Sequence, residues 1–485
     1  MLFTSAEYLL AFLPVSVVIY FWLTRVRRAA AARAWLVLAS LFFYGWWNPH
    51  HVPLLLLSMA GNWLVGARLA AAPGRHRPLL FAGVAANLAL LGYYKYAGFF
   101  VAKVAGLLGT NWTPPAFALP LAISFFTFTQ IAYLVDCQRG AVRDRDPLNY
   151  ALFVVFFPHL IAGPVVHHAN IMPQFAAPRN LAVRYPNVAR GLFLFAAGLF
   201  KKLVLADTFA VWAAAGFDQA PSLDFLAAWV TSLSYTFQIY FDFSGYSDMA
   251  IGASLLFNIR LPRNFASPYR ATSIRDFWRR WHITLSRFLR DYLYIPLGGN
   301  RAGAVRGYIN VLVTFVLGGL WHGASWMFVI WGALHGVALA VHRAWQRRGL
   351  HLPAKLAWLL TFLFVNVTWV FFRARDLDAA WKVLRPMSGI DGIGGSGCVA
   401  QLMGRTGANP SACLQTVGGN AWTLAALVLA LMIVVLLPNT NRLFLDSRLS
   451  TLLRPWVAAT LGVATAAVFL YSLTSPYSEF IYFNF

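Results

Sequence analysis

Charge is scarce in this chain. Only 11% of its 485 residues are Asp, Glu, Lys or Arg, where a soluble globular domain carries about a quarter. Acidic residues are scarcer still: 16 Asp+Glu face 39 Lys+Arg, and Glu7 and Glu479 are the only glutamates. So little charge excludes a water-soluble fold, and an apolar share of 59% excludes a disordered chain. Cysteine is rare too; the three present exclude a disulfide scaffold. No repeat of about 20–50 residues is visible, and the Ala/Arg patch at 28–34 is the only low-complexity stretch. What remains is an all-α polytopic membrane protein read as one membrane domain, 1–485. Its mean hydropathy is +0.61.

The net charge is +23. No basic run stands outside a hydrophobic frame, so nucleic acid is not an expected partner. In a chain this apolar the excess belongs to loops facing anionic membrane lipid on the cytoplasmic leaflet.

Apolar windows of about 18–25 residues mark spanning helices. They fall near 3–23, 34–48, 52–71, 79–101, 116–135, 188–213, 224–258, 354–373, 420–437 and 456–474. With the 307–342 stretch this makes about 11 transmembrane helices. The first is not a signal peptide, because its positive charges follow it. Arg25, Arg27, Arg28 and Arg33 follow span one, Arg68, Arg75 and Arg77 span three, and Arg139, Arg143 and Arg145 span five. The alternation places the N-terminus outside. Phe156–Pro164 is flanked by Arg145 on one side and by Arg179 and Arg184 on the other, and Pro and Gly break it. It is predicted to enter and return, against protein or a water-filled cavity.

Ten arginines and two aspartates lie in 260–306, which gives +8. Phe277, Trp278, Trp281, Ile283, Leu285, Phe288 and Leu289 recur between them at helical spacing. This predicts an amphipathic helix at the cytoplasmic face. The 307–342 stretch divides at Gly318-Gly319-Leu320-Trp321-His322-Gly323. Its first run, 307–320, has 14 residues, about 21 Å of helix against a core of roughly 30 Å. The spacing predicts a hairpin whose tip, with His322, lies inside the bilayer; one long tilted helix is the alternative. Residues 374–419 form a 46-residue extracytoplasmic loop, where oxidation permits a Cys398–Cys413 disulfide.

Ionisable side chains inside a bilayer are costly and therefore functional candidates. His322 stands out, since imidazole takes up protons near neutral pH; a purely structural histidine is the alternative. His282 lies in Arg279-Arg280-Trp281-His282. His335, His159, His167 and His168 are read as packing residues, and no metal-site spacing is present. Asp242 and Asp248 fall on different faces of one apolar span, with arginines of 260–306 as candidate partners. Neither phosphate-loop nor dinucleotide glycine patterns occur.

Taken together, Phe42–Asn48 (FFYGWWN), Ile123–Asp136, Phe157–Pro164 (FPHLIAGP), Gln238–Gly252 (QIYFDFSGYSDMAIG), Pro262–Tyr269, Phe277–Asn300, Gly319–Gly323 (GLWHG) and Phe480–Phe485 (FIYFNF) resemble the membrane-bound O-acyltransferases, in the bacterial branch that acetylates alginate. The resemblance runs from end to end. It implies a ring of helices with re-entrant elements around a central funnel, in the bacterial inner membrane. The family's essential histidine falls on His322 and a second on His282. Such an enzyme moves an acetyl group from cytoplasmic acetyl-CoA, a substrate rather than a resident cofactor, to an exopolysaccharide such as alginate or cellulose. Periplasmic acetyltransferase proteins would be partners. On that reading Arg279, Arg280 and Arg287 hold the donor phosphates, and Trp278 and Trp281 line the channel. Trp321, Asp242 and Asp248 are channel or structural polar residues. Asn300 and the His282 ring are candidate oxyanion donors. A D-alanyl transferase using a carrier-protein thioester and a transporter are the alternatives.

Overall fold

The computed structural model describes residues 1–110, 119–161, 163–301, 303–390, 417, 419–446, 455–475 and 480–481. Helices account for the regular structure among them, and no strand occurs. Six helices are long and apolar enough to cross a membrane: Glu7–Arg25, Pro49–Ala71, Gly303–His322, Trp326–Arg347, Ala354–Arg373 and Pro455–Thr474. The protein is a multi-pass membrane protein, although about eleven spans are not reached by this measure. Ala29–Gly45 and Ala421–Leu436 are apolar but shorter. The expected span at 79–101 is divided by a π-turn at Gly92–Tyr96. Phe225–Leu256 has 32 residues, about 48 Å of helix, longer than the hydrocarbon core.

The chain forms two compact units. The first comprises Met1–Leu199, Tyr246–Arg263 and Phe444–Tyr477. Several of its buried polar residues are tied to one another, as a solvent without hydrogen bonds favours. Asn62 and Asn87 exchange amide bonds of 3.2 and 2.7 Å between neighbouring helices, and Tyr150 donates to Gln130 at 3.0 Å. The expected re-entrant element is present here as short pieces. Pro147–Val155 has nine residues and is followed by the single turn Phe157–Leu160 and then His168–Ala176. None is long enough to cross.

The second unit comprises Phe200–Gly245, Asn264–Leu443 and Ser478–Phe485. Its centre is a hairpin with a first arm, Gly303–His322, and a second arm, Trp326–Arg347. The arms have 20 and 22 residues, about 30 and 33 Å. The first arm is therefore longer than the 14 residues counted from 307, and long and apolar enough to cross. The helix begins four residues before 307, where Gly303 turns the chain at φ +87°, and it absorbs Arg306 into its first turn. Glycines set how closely the arms meet. A Cβ on Gly319 would overlap the Phe328 carbonyl, and one on Gly332 would overlap the Phe315 carbonyl. At Gly336 a Cβ would lie 2.9 Å from the Leu312 Cα. Small residues permit this backbone contact, which replaces hydrophobic drive in lipid.

The basic block does not form one amphipathic helix. Two seven-residue helices, Ile274–Arg280 and Ile283–Leu289, are broken at His282, which adopts φ +42°. The segment predicted as a loop from 374 begins as a helix, Leu377–Met387, capped by Asp376 accepting from the Ala379 N–H at 2.8 Å. Cys398 and Cys413 lie outside the described residues.

Gly332→Ala should lower the unfolding midpoint of the detergent-purified protein, because the added methyl has only backbone to push against. Gly61→Ala, where nothing lies within 4 Å, should leave it unchanged or raise it. Equal behaviour of the two variants would contradict the close-contact account.

Candidate functional site

The hairpin places His322 at the last residue of its first arm, 4% exposed. The ring lies among aromatics: Trp321 at 4.9 Å between centroids, Phe372 at 5.1 Å, Trp331 at 5.2 Å and Phe328 at 6.3 Å. Trp331 comes from the second arm and Phe372 from Ala354–Arg373. One helical turn beyond Trp331, His335 is fully buried, with its ring 4.8 Å from that of Trp331. The Trp278 indole N–H donates to His335 Nδ1 at 3.2 Å. Indole can only donate, so His335 keeps its proton on Nε2. A continuous aromatic wall thus runs from Trp278 through Trp331 to His322.

On the other side of Trp278 lies a cavity of about 660 Å³. Arg275, Arg279, Arg287, Arg290 and Arg343 line it, together with His342, Tyr294, Asn300 and Ser286. Guanidinium groups suit phosphate chemically, and the volume is in the range of small-molecule sites; of the five, Arg290 already donates to the Asp291 carboxylate at 2.7 and 3.0 Å. Sequence reasoning picked Arg279, Arg287 and Trp278, which are here, and missed Arg275, Arg290 and Arg343. Two other picks are elsewhere. Arg280 is held by Asp276 through two 2.9 Å contacts and also donates to the Ala266 carbonyl. The reason is helical geometry: Asp276 sits one turn before Arg280, on the face away from Arg279. Trp281 is buried in an aromatic stack with Phe277, Phe265 and Trp369 and does not line the cavity.

His282 sits in the break between the two short helices. Asn264 Oδ1 accepts from the Thr284 N–H at 3.3 Å and from Thr284 Oγ1 at 2.9 Å, and lies 3.1 Å from His282 Nδ1. A backbone N–H can only donate, so this atom is an acceptor and His282 Nδ1 carries the proton. His282 Nε2 is then a lone pair, fully buried without a protein donor. The ring meets Phe243 edge-on at 4.7 Å. Left-handed backbone at a histidine is a strained choice, and such strain concentrates at functional sites. His282 and His322 therefore occupy separate shells, one polar and one aromatic.

Asp242 is not paired with an arginine of the basic block. Lys202 contacts it at 3.0 Å and Asp207 at 2.8 Å, and the Ile481 N–H donates to Asp242 Oδ2 at 2.8 Å. The paired lysines at 201–202 were not singled out from the sequence, because they sit inside an apolar run. Asp248 is buried and belongs to the first unit. Asn300 accepts from the Tyr294 hydroxyl on the cavity wall.

Burial pushes the His282 imidazole down to about 3. A group neutral when folded and protonated when unfolded below its ordinary value of about 6.5 contributes stability above that pH, lost as pH falls toward 3. Acidification from pH 7 to pH 4.5 should therefore destabilise the wild type more than His282→Gln, as read by unfolding midpoints. Parallel curves would contradict a buried neutral His282.

The profile of the membrane-bound O-acyltransferase family matches residues 118–374. A peptidoglycan O-acetyltransferase of Helicobacter pylori is 45% identical, over 100% of this chain and 98% of its own length. A probable alginate O-acetylase of Azotobacter vinelandii is 41% identical over 80% of this chain and 78% of its own length. A teichoic acid D-alanyltransferase of Streptococcus thermophilus is 26% identical over 47% of this chain and 58% of its own length. With the family profile covering more than half of the chain and a relative alike along nearly all of it, this multi-pass protein belongs to the membrane-bound O-acyltransferase family and is an O-acyltransferase.

Proposed function

We propose that the protein is an inner-membrane O-acetyltransferase that takes acetyl from acetyl-CoA and passes it to a hydroxyl of peptidoglycan. The arginine-lined cavity carries this reading, because its inner wall, Trp278, leads through Trp331 to His322. A nucleotide thioester can leave its phosphates among Arg275, Arg279, Arg287, Arg290 and Arg343 and extend only its uncharged end inward. Arginines flank the hairpin at both ends, which supports a cytoplasmic mouth, and Arg25, Arg27 and Arg28 after the first span support an extracytoplasmic N-terminus. Peptidoglycan is favoured over alginate or cellulose because the peptidoglycan-named relative aligns along the whole chain, whereas the alginate-named one aligns over 80%. Periplasmic acetyltransferases are expected partners for the final placement of the group.

In the reaction, His322 accepts the proton of the acceptor hydroxyl. The oxygen attacks the thioester carbonyl, the new C–O bond forms, the C–S bond breaks, and the proton passes to the departing CoA sulfur. The tetrahedral oxyanion needs a donor. Asn300 Oδ1 accepts from the Tyr294 hydroxyl, which leaves its amide NH2 as a donor on the cavity wall. His282 Nε2 is an acceptor in the observed tautomer and does not fit. The Trp331 indole N–H does: it is buried, has no protein acceptor and belongs to a ring packed on His322.

A histidine base contributes about 10²–10⁴ in rate. His322→Ala should abolish acetyl transfer from acetyl-CoA to a peptidoglycan fragment in the reconstituted protein while expression is retained. Activity within about threefold of wild type would falsify the assignment. Arg279→Gln and Arg287→Gln should raise the KM for acetyl-CoA at little cost in kcat. Arg280→Gln should not, since Asp276 already holds that side chain. If all three behave alike, the cavity does not bind the donor phosphates; if excess free CoA fails to inhibit, the donor is a carrier-bound thioester instead.

A further inference from the structure

Asp136, His167 and His168 bring one carboxylate oxygen and two imidazole nitrogens within 4.8 Å of one another. We infer that this trio is a binding site for a divalent first-row metal ion, zinc in the first place. Asp136 lies near the end of Ile123–Gln138, and the two histidines stand at the start of His168–Ala176. Both rings turn Nε2 toward the same atom: His167 Nε2 is 2.8 Å and His168 Nε2 3.1 Å from Asp136 Oδ2. Arg139 faces the other carboxylate oxygen, Oδ1, at 3.6 Å. Oδ2 is thereby directed at the histidines as a single ligand, and Arg139 orients it from behind.

The site is built rather than incidental. The His168 ring is buried and set edge-on against Tyr133 and Phe153, each at 6.4 Å, which fixes where its Nε2 points. Asp136 is equally buried, with its side chain 5% exposed. The His167 side chain is 41% exposed, so an ion has access from solvent on that side. Two borderline nitrogens and one hard oxygen are a donor set for zinc and its neighbours, and three protein ligands leave a position for water. Without metal, each Nε2 carries a proton donated to Oδ2, and His167 Nδ1 accepts a long 3.3 Å bond from the Ala169 N–H. Metal binding moves both ring protons from Nε2 to Nδ1. The cap bond and the two Nε2–H···Oδ2 bonds are given up, and bonds from the two Nε2 atoms and Oδ2 to the ion replace them; no proton is released from a neutral ring. The ion would join the C-terminal end of Ile123–Gln138 to the N-terminal end of His168–Ala176.

The test uses the full chain in detergent, purified with a tag that lacks histidine and stripped with a chelator. Zinc is titrated against a competing chromophoric chelator, and cobalt binding is read from its absorption spectrum. The wild type should take up about one zinc ion per chain, and His167→Ala and Asp136→Asn should each weaken binding at least about tenfold. His167→Ala removes a half-exposed side chain, so it reads ligation even if Asp136→Asn fails to fold. His50→Ala, an exposed histidine outside the trio, should bind as wild type. No stoichiometric uptake by the wild type, or unchanged affinity in His167→Ala, overturns the site and leaves a hydrogen-bonded clasp only.

Discussion

The backbone contact between the two hairpin arms is the constraint from which the candidate site follows. Gly319 and Gly332 meet facing carbonyls where a methyl has no room, and a Cβ on Gly336 would lie 2.9 Å from the opposing Leu312 Cα. Only with the arms this close do His322 on one and Trp331 on the other share a ring contact. The same approach lets Trp278, from a short helix outside the hairpin, reach His335 on the second arm with its indole N–H. In lipid no hydrophobic force presses helices together, so packing of this kind has to supply the association. The glycines therefore fix the distance between the wall of the arginine-lined cavity and His322.

A second theme is how few polar groups are left to the lipid. The two buried lysines of the second unit are both held: Lys201 donates to the hydroxyls of Ser244 and Thr440. Lys202 lies between Asp207 and Asp242, and Asp242 also holds the Ile481 amide. Where a polar atom in the core lacks a protein partner, as at His282 Nε2 and the Trp331 indole, the cost of burial is borne without local return. Such atoms are where a substrate can complete the bonding. The arginines follow the same logic in reverse: they cluster around a cavity rather than against lipid.

Much of this was legible in the sequence. GLWHG marked the end of the first arm at His322, the glycines marked the hairpin, and the mixture of arginine and tryptophan in 277–300 marked part of the wall of the arginine-lined cavity. The errors have physical causes. Counting the first arm from 307 ended it at the nearest charge, but a helix can carry Arg306 in its first turn and still span. Arg279 and Arg280 are adjacent in sequence and point about 100° apart on a helix, so only one reaches the cavity; Asp276 at four residues' distance was the available clue. The break at His282 was hidden because aromatic spacing continued through it. Arg343 comes from a different helix, and the metal trio joins residues 32 positions apart, pairings that no local pattern encodes.

The central claim is that one protein accepts a charged thioester from one side and delivers its acetyl group at His322 to a hydroxyl from the other. Sealed proteoliposomes test this directly, with acetyl-labelled CoA confined to the face bearing the arginine cavity and a soluble peptidoglycan fragment confined to the opposite face. The account predicts label on the fragment with CoA retained at its original face. Transfer only when donor and acceptor share a compartment would contradict it.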